Sequence, residues 1–249
     1  MSGEGGFVEI RREGAVCVIT LNREQKLNAL STAVEAELKD ALAGEEVRTS
    51  GAVVFAGKGR AFSAGADLNE LTERTPEAIL AYYAATGDVY ERIASLPQPT
   101  LTAIHGYCLG AGLELALATD FRIADESALL GFPEVELGIV PSSGGTYRAA
   151  RILGPARAKE VVLLRPRVSA AEALDLGLVT EVVAEGAALT RALELAQRLA
   201  ALPGLAASVA KQAVDAAAES SRDVGLLIER LAYGMLAQTD EARDAGGGD

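Results

Sequence analysis

The chain has 249 residues, of which 49% are hydrophobic, and carries a formal net charge of −12. This length can bury a full core, in one large domain or in two. The acidic balance argues against nucleic acid and anionic membranes as partners, and no apolar run reaches the roughly 18 residues that a membrane span requires.

The first half of the chain alternates strand and helix patterns, which is typical of an α/β core with parallel strands. The predicted elements are a hairpin (7–14 and 15–22, turning at Glu13–Gly14), a helix within 22–42, a strand at 51–57, a helix from about Pro76 to Leu96, a strand at 99–106, a helix at 113–118 and two short strands within 121–132. Thr32 and Glu35 have the spacing of a capping box at the start of the first helix.

From Gly144 onward the pattern is almost entirely helical. The Ala-rich stretch 187–240 is broken at Pro203–Gly204 and near Ser220, and the terminal AGGGD is expected to fray. Because no clear linker separates the halves, the sequence indicates one domain with a helical appendage.

Cysteine and histidine are scarce. Cys17 and Cys108 form no disulfide framework, which suits a reducing cytoplasm, and the first residues lack the pattern of a secretory signal. With His105 as the single histidine and no CxxC motif, we expect no metal site. We expect His105 to be structural, since no GxSxG motif accompanies it.

An acid at Glu114 interrupts the apolar run LGAGLELALA. Leu113 and Leu117 share one helical face, and Ala118, one turn beyond Glu114, is also apolar. A carboxylate in that setting must be paired, or protonated with a raised pKa. Two interpretations stay open here: a structural acid bonded to backbone or arginine, or a functional acid.

Two loops share one design. FSAGAD (62–67) and LGAGLE (109–114) each follow a buried strand, contain glycine and open a helix. The first N–H groups of a helix lack internal partners, and small residues let a ligand approach them. Facing each other, such loops could form an oxyanion hole, although each alone could be an ordinary tight turn.

A second acid follows in FPEVELG. Glu134 lies where the chain leaves a predicted strand, a frequent place for site residues. Together with Glu114 it could form an acid–base pair acting on the carbon next to a polarised carbonyl. Glu136 is a third candidate, for which a solvated or ion-paired role is the simpler interpretation.

Five blocks in register resemble the crotonase, or enoyl-CoA hydratase/isomerase, superfamily. They are ITLNREQKLNALS, GKGRAFSAGADL, PTLTAIHGYCLGAGLELALATDFRIA, GFPEVELGIVPSSGGTYR and SAAEALDLGLVTEVV, spanning roughly residues 7–240. The resemblance implies an α/β spiral of ββα units forming two near-perpendicular sheets, with C-terminal helices that assemble trimers or hexamers. It suggests an acyl-CoA core at 1–190 and a helical assembly region at 191–249.

The resemblance also implies a reaction. Backbone N–H groups of Ala66 and Ala111 would hold the thioester oxygen of a trans-2-enoyl-CoA, while Glu114 and Glu134 would add water to give a 3-hydroxyacyl-CoA. Coenzyme A is part of the substrate, and no other cofactor is implied. The alternatives are an enoyl-CoA isomerase or another crotonase-type reaction, and an RNA-binding relative, which the acidic pI disfavours.

Further residues are implied in substrate binding. The expected substrate-binding residues are Arg23, Lys26, Leu27, Ala29, Ala64, Gly65, Asp67, Leu68, Gly110 and Gly112. Lys58 and Arg60 are further basic candidates for binding the coenzyme A end. Three features depart from the family pattern: Glu24 replaces a usual proline, the loop has GAG instead of GGG, and the aromatic and basic tail is missing. The last leaves the cover of the acyl pocket undefined.

Overall fold

A computed structural model describes residues 6–71, 75, 77–80, 82 and 88–246 of the chain. The strands are β1 (Val8–Glu13), β2 (Val16–Leu21), β3 (Ala52–Gly57), β4 (Thr100–Ile104), β5 (Tyr107–Leu109), β6 (Phe121–Asp125), β7 (Leu129–Gly131), β8 (Val168–Ser169) and β9 (Glu181–Val183). The helices are α1 (Thr32–Ala43), α2 (Glu45–Arg48), α3 (Asp88–Ala94), α4 (Ala111–Leu117), α5 (Gly145–Lys159), α6 (Ala170–Leu176), α7 (Ala188–Ala200), α8 (Gly204–Glu219), α9 (Arg222–Leu236) and α10 (Asp240–Gly246).

The strands form two sheets. The larger has the order β1-β2-β3-β4-β6-β9 and is parallel except for the β1–β2 hairpin. The smaller has the order β5-β7-β8, with β5 and β7 parallel. The predicted α/β class and the first hairpin are therefore confirmed.

Helices cover both faces of the larger sheet. Along β2, Val16 and Val18 face one cluster that includes Ala192 of α7, whereas Cys17 and Ile19 face the other cluster with α1, α3 and α4. Successive strand residues point to opposite faces, so every residue of β2 is buried. The expected boundary at residue 190 falls inside α7, which packs on this sheet.

The start of α1 differs from the prediction. Ser31 is the N-cap, and its Oγ accepts the N–H of Val34 at 3.3 Å. Thr32 instead donates its N–H and hydroxyl to Glu70. Glu35 is buried and accepts the hydroxyl of Tyr90 at 2.8 Å. The predicted capping box is wrong because the Glu35 side chain binds Tyr90 in the interior and does not accept a backbone N–H at the start of the helix.

Two other predicted helices can be compared with the structure. The helix expected at 113–118 is α4. Of the helix expected from about Pro76 to Leu96, residues 77–80 and α3 are helical, and most of the intervening segment lies outside the described residues.

The C-terminal helices meet the core through polar contacts. Lys211 on α8 lies 2.9 Å from an oxygen of Asp120, and Glu219 lies 3.2 Å from Arg151. Helix α9 packs on α8 and leaves apolar side chains exposed. Within the described part of the chain, no helix is long and apolar enough to cross a membrane.

Candidate active site

The two glycine-bearing loops lie side by side, which is the arrangement that an oxyanion hole requires. Ser63 donates its N–H to Tyr107 O at 2.9 Å and accepts the N–H of Leu109 at 3.0 Å. A Cβ built on Gly65 would lie 3.7 Å from the nitrogen of Ala111. The ends of the two loops therefore face one small space.

Both predicted oxyanion donors lack an acceptor among the residues that the structure describes. Around Ala66 the backbone bonds skip its N–H: Leu30 donates to Gly65 O at 2.8 Å, and Asp67 donates to Leu30 O at 2.7 Å. Ala111 begins α4, where an N–H has no partner within the helix. Neither N–H donates to another group in the described part of the chain. An incoming oxygen could therefore accept both.

Asn28 organises the first loop, and sequence reasoning missed it. Its buried side chain donates to Lys58 O at 2.9 Å and Ala61 O at 2.8 Å, and it accepts the N–H of Arg23 at 2.8 Å. Leu27 and Asn28 both have left-handed backbone, at φ 50° and 54°. Asparagine tolerates this conformation, which was the available signal.

Glu114 is buried against the start of α5. Its Oε1 accepts the N–H groups of Ser143 at 2.7 Å and Gly145 at 2.8 Å, and only 3% of the residue is exposed. Burial raises the pKa of Glu114, and the two N–H groups oppose the rise. A Cβ on Gly145 would lie 2.7 Å from the same oxygen, so this position must be glycine. The backbone bonding weighed for a structural acid is present, and it leaves the functional role open.

Glu134 occupies a different environment. It lies on a 3-10 turn (Pro133–Leu137), and a Cβ on Gly110 would lie 2.8 Å from its Oε1. Its Oε2 is buried without a hydrogen-bond partner among the described residues. Burial, with the negative charge of Glu114, raises the pKa of Glu134 to about 7. This carboxyl can therefore hold a proton near neutral pH.

Two of the predicted substrate-binding residues bind each other. Arg23 lies 2.7 Å from Asp67 and also donates to Ala29 O at 3.1 Å. The guanidinium holds the pKa of Asp67 below its ordinary value. Lys26 is exposed and has no ion pair within the described ranges, and Leu68 is 53% exposed. Lys26 is thus available for an anionic ligand, whereas Arg23 is already paired.

The remaining sequence candidates have ordinary contacts. His105 has a ring nitrogen 3.0 Å from Gly59 O, which suits the structural role expected for it. Glu136 lies 3.8 Å from Arg167 on the surface. Lys58 lies 3.2 Å from Glu9, whereas Arg60 is exposed.

A cavity of about 770 Å³ lies between the core and α8. It begins at Leu117 and Ala118, at the far end of α4 from Ala111, and neither Glu114 nor Glu134 lines it. The candidate catalytic space is therefore a different one, at the facing loops.

Two buried acids beside two free N–H donors are the features of an acid–base enzyme. The chain belongs to the enoyl-CoA hydratase/isomerase family, whose model matches residues 11–247, within the crotonase superfamily. The resemblance drawn from the sequence motifs is thus confirmed, and with it that the protein is an enzyme.

Relatives agree over nearly the whole chain. A Rhizobium meliloti protein named "Probable enoyl-CoA hydratase" is 39% identical, covering 94% of this chain and 91% of its own. The short-chain-enoyl-CoA hydratase of Clostridium acetobutylicum is 35% identical, covering 96% and 92%. The crystal structure of an enoyl-CoA hydratase subunit from Geobacillus kaustophilus superposes with a TM-score of 0.91 at 36% identity, covering 98% and 94%.

Asn28 provides a test of the loop. We expect Asn28→Ala to lower the free energy of unfolding by about 2–4 kcal/mol, because one buried and one partly buried carbonyl lose their donor. Asn28→Gly should cost about 1 kcal/mol less, because glycine adopts the left-handed conformation without strain. Urea unfolding measures the free energy of unfolding of both variants. Equal losses in Asn28→Ala and Asn28→Gly would contradict the expected strain of alanine in the left-handed conformation.

Glu134 provides a test of burial. Because its pKa is raised from 4.5 to about 7, the folded state binds this proton more tightly, so Glu134 reduces stability as pH rises between these values. Glu134→Gln should therefore gain stability over the parent as pH rises from about 4.5, with a plateau above about 7. The gain has an upper bound of about 3 kcal/mol. A difference independent of pH, measured by urea unfolding, would show that Glu134 is not desolvated.

Proposed function

We propose that the enzyme hydrates a trans-2-enoyl-CoA to a 3-hydroxyacyl-CoA. The observation that carries this proposal is the pair of buried glutamates in unlike environments beside two free N–H groups. A hydratase needs both a base for water and an acid for carbon, and distinct surroundings divide those roles between like residues.

The thioester oxygen would accept the N–H groups of Ala66 and Ala111. As the oxygen of water bonds to C3, the electron pair of the C2–C3 double bond moves toward the thioester and develops an enolate. Donors already aimed at that oxygen stabilise the charge without reorganising, and one such donor is typically worth about 100- to 1000-fold in rate.

Glu114 would be the base and Glu134 the acid. The two N–H bonds that Glu114 accepts favour its ionised form, so this carboxylate takes the proton of the attacking water. Glu134, with a pKa of about 7, delivers its proton to C2. After the step, Glu114 holds the proton taken from water and Glu134 is ionised. Transfer of this proton from Glu114 to Glu134 restores the starting protonation states.

The coenzyme A end would meet the exposed cations near the first loop. Lys26 and Arg60 are the candidates that carry no ion pair in the described ranges, and backbone groups near Leu27 and Ala29 would hold the adenine. No cofactor beyond the coenzyme A of the substrate is required by this chemistry. One relative is named a short-chain-enoyl-CoA hydratase, so crotonyl-CoA is the first substrate to test.

Glutamine substitutions test the two acids. We expect Glu114→Gln and Glu134→Gln each to lower kcat for crotonyl-CoA by at least about 100-fold, because the amide cannot exchange the proton. The loss of conjugated-thioester absorbance measures the rate. Glu136→Gln, on the same turn as Glu134, is the matched control and should retain activity within about threefold.

The pH profile tests which acid does what. Hydration requires protonated Glu134, so kcat/KM of the parent should fall as pH rises through about 7. The acidic limb should come from Glu114. Conversion of a 3-enoyl-CoA without hydration of crotonyl-CoA would instead favour an isomerase, and retention of RNA on filters at low salt would favour a binding protein.

We also propose that the chain assembles as a trimer or hexamer. Helix α9 exposes Val224, Leu227 and Leu231 along one face, each about half or more exposed. Light scattering should give three or six times the 25.7 kDa of one chain. Leu227→Arg should dissociate the assembly, whereas Glu229→Ala on the polar side should not. A monomer of the parent at micromolar concentration would contradict the assembly.

A further inference from the structure

The loop that holds Glu114 is itself held by an arginine. Ser143 uses both of its backbone polar groups: its N–H donates to Glu114 at 2.7 Å, and its C=O accepts Nη1 of Arg148 at 3.0 Å. We propose that Arg148 is a positioning residue, which fixes the Ser143–Gly145 turn so that its two N–H groups converge on the catalytic carboxylate. This inference rests on the role proposed above for Glu114.

The packing around the turn supports this assignment. Arg148 is 8% exposed, and its guanidinium occupies the space that a Cβ on Gly144 would enter. Gly144 has φ 94°, a conformation that L residues rarely adopt. Residue 144 therefore lacks a side chain for two reasons, and the guanidinium fills the gap.

A second contact reaches the guanidinium from the surface side. Nη2 of Arg148 lies 2.5 Å from Oε1 of Glu91 on α3, whose side chain is 70% exposed. The planar fork of arginine presents separate nitrogens to Ser143 and Glu91, whereas a lysine has a single nitrogen. Because an exposed ion pair is worth little, the buried bond to Ser143 is the one expected to matter.

Charges on the packed elements act on Glu114 in opposite directions. Arg148 on α5 lowers the pKa of Glu114, whereas Glu35 on α1 raises it together with burial. Tyr90 on α3 bonds to Glu35, and Glu134 is the other acid of the site. Loss of the Arg148 charge should therefore move the pKa of Glu114 upward.

Arg148→Gln is the first test. We expect kcat for crotonyl-CoA to fall by about 10- to 100-fold with KM within about threefold, because a displaced base harms the transition state more than binding. The acidic limb of kcat/KM should move to higher pH. Glu91→Gln is the matched control: it breaks the ion pair but keeps the Ser143 bond, so kcat and the limb should stay near those of the parent.

Arg148→Lys separates charge from geometry. It keeps the positive charge but not the fork, so the acidic limb should stay near its parental pH while kcat falls by about tenfold. If Arg148→Gln does not fold, Arg148→Lys still tests the positioning role. A parental kcat in either folded variant would overturn the proposal, and so would an Arg148→Gln enzyme that loses thermal stability with an unchanged pH profile.

A titration keeps this inference separate from the proposed function. ¹³C NMR of labelled glutamate, assigned with Glu114→Gln, should show the carboxyl of residue 114 titrating at higher pH in Arg148→Gln. If the shift occurs but the parent enzyme is inactive on enoyl-CoA, the positioning role of Arg148 stands and the proposed hydration is rejected. Active parent enzyme without the shift would reject the positioning role alone.

Discussion

The site is built around the hydrogen bonds between the buried carboxylate of Glu114 and the backbone at the first turn of α5. An isolated charge in that setting would cost several kcal/mol. Two N–H groups on one oxygen offset this cost, and the positive end of a helix favours the anion. The bond joins α4 to the start of the helical half of the chain. Glycine at 145 follows from it, because a side chain there would overlap the carboxylate.

The second acid, Glu134, gains its character mainly from burial. Glu134 is near the glycine that precedes α4, yet its Oε2 finds no donor within the described residues, and its pKa rises to about 7. The two chemically identical side chains thus differ in their donors: the two N–H groups on Glu114 oppose the rise in pKa that burial causes, whereas Oε2 of Glu134 has no such donor among the described residues. Sharing one small site reinforces the difference, since the charge of Glu114 further disfavours ionisation of Glu134.

Local patterns predicted the hairpin, the buried strands and α4, because each depends on neighbours in sequence, whereas the pairing of the two loops came from the family resemblance. The partners of Glu114 are backbone N–H groups that lie some thirty residues away in the sequence. Because every residue type except proline has such a group, the sequence does not identify these partners. The Gly–Gly pair of GGTYR was the available signal. Arg23 and Asp67 were both plausible ligands for substrate, and only the fold shows them bound to each other. The capping box failed for the same reason, since burial redirected Glu35 to Tyr90.

The starts of α4 and α5 divide the electrostatic work of the proposed reaction. At α5 the free N–H groups are taken by Glu114, whereas at α4 the N–H of Ala111 remains open beside that of Ala66. In the proposed reaction the substrate oxygen would therefore bind at the start of α4, where no protein anion lies within the described residues. Because both donors belong to the backbone, the change of GGG to GAG leaves them in place. What the sequence must preserve is the close contact of the loops, which Gly65 and Gly112 permit and which the backbone of Ser63 holds by hydrogen bonds to Tyr107 and Leu109.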